Sequence, residues 1–131
     1  ENIEPGPLEE ALVASPLIEQ VMLVGQDERQ LGGLIVPRAE AIVAWAAEAG
    51  LSVAQDLGGQ PGDPALLRLL MRECNSLLKQ RSGSRGDERL AGVVLVDPFS
   101  IENGLLTQTL KQRRDRITSR DQHLIDALYG R

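Results

Sequence analysis

Apolar residues fall along the chain in blocks whose spacing changes several times, and each change marks an element. The opening "PGPLEEALVASP" sets Leu8, Ala11 and Leu12 at helical spacing, with Pro7 in the first turn, Glu9 and Glu10 near the positive helix end, and Pro16 as a stop. That pattern predicts a helix over residues 7–15. The β-branched-rich runs "IEQVMLVG" and "LGGLIVP", separated by polar "QDERQ", predict a hairpin with strands near 18–25 and 31–37. Alanine-rich "RAEAIVAWAAEA" predicts a helix over 38–49, closed by Gly50. After a Gly/Pro/Asp-rich loop, Asp63 and Pro64 suit the start of a helix reaching about 81. Its apolar stripe is Leu67, Leu70, Met71, Cys74, Leu77 and Leu78.

The run "LAGVVLVDP" has no alternation, as expected of a strand over 90–97 that is covered on both faces. The chain then reads as irregular around Asn103-Gly104 and extended through Thr107 and Thr109; whether 107–112 adds a strand edge is open. A last amphipathic helix is expected over 117–129, with Ser119 and Gln122 as a capping box, or alternatively as one helix continuous from near Arg113. The expected architecture is a single α+β domain, a small mixed β-sheet with an N-proximal hairpin, flanked by helices.

Composition narrows the chemistry. Aromatic residues make up 2% of the 131, so the core must be built from aliphatic side chains and there is little with which to stack nucleic-acid bases. Cys74 is the single cysteine and lies in the helical stripe, which reads as a buried core thiol rather than a nucleophile. With no internal disulfide and no secretory leader pattern, the default compartment is the reducing cytosol. No apolar run approaches the ~20 residues of a membrane-spanning helix. A first residue of Glu rather than Met suggests a piece of something larger.

Net charge is −5, yet residues 111–120 hold five Lys or Arg against one Asp. The chain reads as an acidic body with one basic corner, suited to a phosphate-bearing ligand, a nucleic acid or an acidic partner. Neither glycine-rich stretch has the spacing of a phosphate loop, and one His with one Cys and no carboxylate cluster predicts no metal site. His123 falls beside the apolar stripe and reads as solvated. Within the basic corner, Lys111 is one of only two lysines. Thr107 and Thr109 precede it, and Arg113 and Arg114 follow. Ammonium, hydroxyl and guanidinium groups together suit phosphate or carboxylate oxygens, although a solvated basic face is the ordinary reading of such a run.

The segments "ENIEPGPLEEAL", "VMLVGQDERQLGGLIVP", "ENGLLTQTLKQRR" and "LIDALYG", in that order, resemble the carboxy-terminal domain of the adenylate-forming enzymes, in the long-chain fatty acyl-CoA synthetase branch. The resemblance implies that Lys111 is the lysine of the adenylation half-reaction. It also implies that the first motif, at Glu1, Asn2, Ile3, Glu4, Pro5 and Glu9, borders the path of a thiol acceptor after a hinge rotation. The implied substrates are ATP with Mg²⁺, a long-chain fatty acid, and either coenzyme A or the pantetheine of an acyl carrier protein. The main partner is the enzyme's own amino-terminal domain, through which membrane association could also arise. Gln108, Gln112 and Asp121 depart from the pattern, where proline, an apolar residue and an aromatic are expected. The competing reading is a stand-alone interaction module whose basic corner binds nucleic acid or an acidic partner.

Overall fold

The computed structural model describes residues 3–54, 57 and 62–131. The chain runs α1 (Pro5–Val13), β1 (Ile18–Val24), β2 (Leu31–Pro37), α2 (Ala39–Glu48), α3 (Pro64–Gln80), β3 (Leu90–Leu95), α4 (Arg114–Arg120) and α5 (Gln122–Leu128). β2 lies at the centre of the sheet, antiparallel to β1 and parallel to β3. The expected α+β class and the mixed sheet are therefore both present. Glu1, Asn2 and part of the loop ahead of Asp63 lie outside the described residues.

Strand residues are buried on both sides because helices cover both faces of the sheet. Val21, Leu23, Ile35, Val93 and Leu95 pack with α1, α2 and α3. Their alternates Met22, Val24, Leu34, Val36 and Val94 pack with Phe99, Leu105, Ile117, Leu124 and Ile125. Two separate aliphatic cores thus share one sheet, which is why the strand sequences are continuously apolar. Asp63 caps α3 through Oδ1, accepting from Ala65 N at 2.8 Å, as the sequence predicts.

At the other end, Leu128 of α5 lies against Gly32 so closely that a Cβ there would come within 2.7 Å of its methyl groups. The Tyr129 hydroxyl donates to Gln30 O at 2.8 Å. It occupies the space that a Cβ on Gly25, at φ 91°, would require.

Three expectations need correction. α1 begins at Pro5 rather than Pro7, so Glu9 lies beyond the first turn and serves a partner elsewhere in the fold. The last helix is two helices, α4 and α5, broken at Asp121, and Ser119 does not cap it. At the break Asp121 has φ −106° and ψ 17°, and its buried carboxylate accepts from the Arg120 guanidinium at 2.9 Å on each oxygen. Residues 107–109 are not extended. They form a turn closed by a single bridge between Leu106 and Gln112.

Cys74 is fully buried in the first core, and that burial pushes its thiol from the ordinary 9.0 up to about 12, with Glu73 adding to the shift. Because only the neutral thiol is favoured inside, this contribution to stability is complete below pH 9.0 and is lost as pH rises toward about 12. Alkylation of Cys74 at pH 8 is expected to proceed at the unfolding rate of the domain; labelling at the rate of a free thiol would contradict this packing.

Candidate functional site

The segment after β3 is held in place before it reaches the basic corner. Asn103 knits it locally: Oδ1 accepts from Ser100 N at 3.0 Å and Leu105 N at 3.1 Å, while Nδ2 donates to Pro98 O at 3.0 Å. Gly104 follows at φ 80°. The Gln20 side chain, on β1, pairs with both backbone groups of Phe99, donating at 2.9 Å and accepting at 2.8 Å.

From Leu105 to Arg113 the chain folds back on itself. Arg113 N donates to Leu105 O at 2.9 Å, Thr107 N to Lys111 O at 2.8 Å, and Leu110 N to Thr107 O at 2.8 Å. The Thr107 hydroxyl accepts from Lys111 N at 3.0 Å and lies 3.2 Å from the Thr109 hydroxyl. Leu110, at the tip, has φ 65°, a left-handed conformation unfavourable for a branched side chain, and it is 65% exposed. Lys111 therefore projects from a short, internally bonded turn beside two hydroxyls and a strained residue. Backbone strain of this kind concentrates at functional sites.

Two of the five cations of the basic corner, Arg114 and Arg120, are neutralised from within. Arg114 makes a two-pronged ion pair with Glu9, at 2.7 and 2.8 Å, and this hydrogen bonding holds its guanidinium pKa above the usual range. Arg116 donates to Gly104 O at 3.3 Å. Arg120, besides Asp121, donates to Asp97 O and Pro98 O and lies over the Phe99 ring. Within this corner Lys111, Arg113 and Arg116 are left exposed with no carboxylate partner among the described residues. Of the residues expected to bind substrate, Thr107, Thr109 and Lys111 converge on one turn, Arg113 stands next to it, and Arg114 is engaged with Glu9.

The first motif occupies a different surface. Glu4 is exposed at the start of α1, Pro5 is its first residue, and Ile3 packs on the first core. Ile3 also lines an open groove of about 620 Å³ with Gln26, Arg29, Gln30, Met71 and Arg89, to which the Lys111 turn does not contribute.

Comparison with known proteins fits this geometry. Residues 1–54 match the family described as the AMP-binding enzyme C-terminal domain. Over 98% of its length the chain superposes, with a TM-score of 0.73 and 26% identity, on 18% of the A domain of a carboxylic acid reductase from Segniliparus rugosus, solved in complex with AMP and a co-purified carboxylic acid. Residues 1–54 thus belong to the AMP-binding enzyme C-terminal domain family. It is 34% identical over 130 residues to a chloroplastic long-chain-fatty-acid acyl-carrier-protein ligase of Arabidopsis thaliana, covering 99% of this chain and 16% of that protein. It is 30% identical over 134 residues to long-chain-fatty-acid CoA ligase 1 of Cavia porcellus, covering 99% of this chain and 18% of that protein. This domain thus spans less than a fifth of the length of these relatives. Lys111 lies outside the stretch matched by the family description but inside the alignments with both ligases. No helix among the described residues is long and apolar enough to cross a membrane.

Sequence reasoning missed what Gln112 and Glu9 do. β1 is an edge strand, and two backbone groups on its open side, Val21 O and Leu23 N, are met by side chains. Gln112 Nε2 donates to Val21 O at 2.7 Å, and Glu9 Oε2 accepts from Leu23 N at 2.8 Å. The departure at Gln112 is thereby explained, since an apolar residue would leave a strand carbonyl unmet. Asp121, another departure, is the buried anion at the break between α4 and α5. The available signal was Glu9 itself, a carboxylate between Leu8 and Leu12 that needs a cation if it turns inward.

Arg114→Ala is expected to destabilise the domain by about 2 kcal/mol in urea unfolding. It strands a carboxylate, and the cost is less than for a fully buried pair because Arg114 is 40% exposed. Leu110→Gly should be neutral or stabilising by up to ~1 kcal/mol in the same measurement, and Leu110→Ala should not share that gain, because only glycine relieves the positive φ.

Proposed function

We propose that this domain is the mobile C-terminal unit of a ligase that joins a long-chain fatty acid to ATP as an acyl adenylate and then passes the acyl group to a thiol. The observation that carries this reading is Lys111: an exposed ammonium with no side-chain partner among the described residues, presented on an internally bonded turn, while Arg114 and Arg120 near it are held in ion pairs. In adenylation a fatty carboxylate oxygen attacks the α-phosphorus of ATP and pyrophosphate leaves, so two anions must be brought together and charge builds on the oxygens between them. A fixed ammonium aligns the anions and stabilises that charge. The Thr107 and Thr109 hydroxyls and Arg113 stand where they can meet further oxygens.

The remaining substrate groups lie with the rest of the enzyme. Mg²⁺ would offset the phosphate charge, and the described residues contain no group of three carboxylate, His or Cys ligands to hold it. The separation of the Ile3 groove from the Lys111 turn supports a two-stage use of the domain. A hinge rotation would withdraw Lys111 after adenylation and bring the first-motif surface, Glu1 to Pro5, toward the acceptor. Coenzyme A and the pantetheine of an acyl carrier protein are equally served by this chemistry, and similar ligases of both kinds exist. A cytoplasmic location belongs to the same proposal. On its own the domain is expected to be inactive. Arg114 and Arg120 are neutralised by Glu9 and Asp121, the net charge is −5, and nothing favours the nucleic-acid alternative.

In the full-length ligase, Lys111→Ala is expected to lower fatty-acid-dependent ATP/pyrophosphate exchange by ~10²- to 10³-fold, while thioester formation from a preformed acyl adenylate is largely spared. Undiminished exchange would remove Lys111 from the reaction.

A further inference from the structure

We propose that Glu9 is a positioning residue for Lys111, acting through Arg114, with Gln112 as a second anchor of the same turn. The inference rests on Lys111 being the adenylation lysine. Hydrogen bonds within residues 105–113 define the shape of the turn but not its place on the domain. Two polar ties fix the arm that follows Lys111. Gln112 reaches Val21 O, and Arg114 reaches Glu9, which in turn holds Leu23 N. The anchors are two residues apart on the arm, as are the backbone groups they reach on β1, so the arm is held as a neighbouring strand would be, with side chains replacing backbone.

The cost of this arrangement argues that placement is its purpose. Gln112 Oε1 is buried without a hydrogen-bond partner among the described residues, a cost carried so that Nε2 can meet Val21 O. Glu9 keeps its carboxylate at 11% exposure, a position that only the Arg114 fork and Leu23 N make tolerable. Misplacement of a reacting group by about 1 Å is worth up to ~100-fold in rate, so loosening either tie should appear in adenylation before it appears elsewhere.

The test uses the full-length ligase with palmitate, and coenzyme A and holo-acyl carrier protein as separate acceptors. Glu9→Gln retains an acceptor for Leu23 N and removes the ion pair; Gln112→Leu removes the other tie and leaves no charge stranded. Each is assayed for ATP/pyrophosphate exchange and for thioester formation from preformed palmitoyl adenylate, alone and combined with Lys111→Ala. Each single variant is expected to lower exchange kcat by ~10-fold or more, with a much smaller effect on thioester formation, and to add nothing once Lys111 is alanine. Wild-type exchange in both variants, alongside lost exchange in Lys111→Ala, would overturn the positioning role and leave the adenylation reading intact. A parallel fall of both half-reactions in Gln112→Leu would reduce the ties to general stability and equally overturn it. Undiminished exchange in Lys111→Ala would remove the basis of both.

Discussion

An edge strand cannot end in nothing. β1 has β2 on one side only, and its outward donors and acceptors would cost free energy if covered without partners. The chain meets this constraint with side chains drawn from distant places. Glu9 comes from the helix just before β1 and Gln112 from the far end of the chain, while the Gln20 side chain ties the Phe99 backbone to the same strand. The second core forms beneath these ties, because Phe99 and Leu105 pack on the sheet only when the segment carrying them runs along this edge. The Lys111 turn lies where it does for the same reason.

That arrangement accounts for which features could be read from the sequence. The sheet, its hairpin and α3 follow from local spacing: β-branched runs, the Asp63-Pro64 start, a stripe of leucines. Each is decided by neighbours within a few residues. The polar corner was legible only as a charge run, and its outcome depends on partners far along the chain. Arg114 resembles Arg113 in the sequence, yet one meets Glu9 and the other meets solvent. The break at Asp121 leaves no mark in the sequence pattern, because hydrophobic periodicity alone would carry a helix through it. The role of Lys111 comes from resemblance, while the bonded turn that presents it is visible only in three dimensions.

The proposed function divides the work between two surfaces. On one, a strained and tightly bonded turn presents the Lys111 ammonium. On the other, Ile3 and the hairpin turn frame an open groove. Both rest on the same three strands, so the proposed rotation would exchange one surface for the other without internal rearrangement. A rigid body with two working faces needs its faces fixed relative to each other, and the Glu9–Arg114 pair spans from the helix that carries the first motif to the arm that carries the second.

The 105-residue separation of Glu9 and Arg114 along the chain has a consequence for synthesis. At ~5–20 residues per second, roughly 5 to 20 s pass between the appearance of β1 and that of the residues which cover its edge. During that interval the nascent hairpin presents an apolar strand with an open side, the kind of template that pairs with other chains. The domain is thus most exposed to aggregation before its last twenty residues have been made.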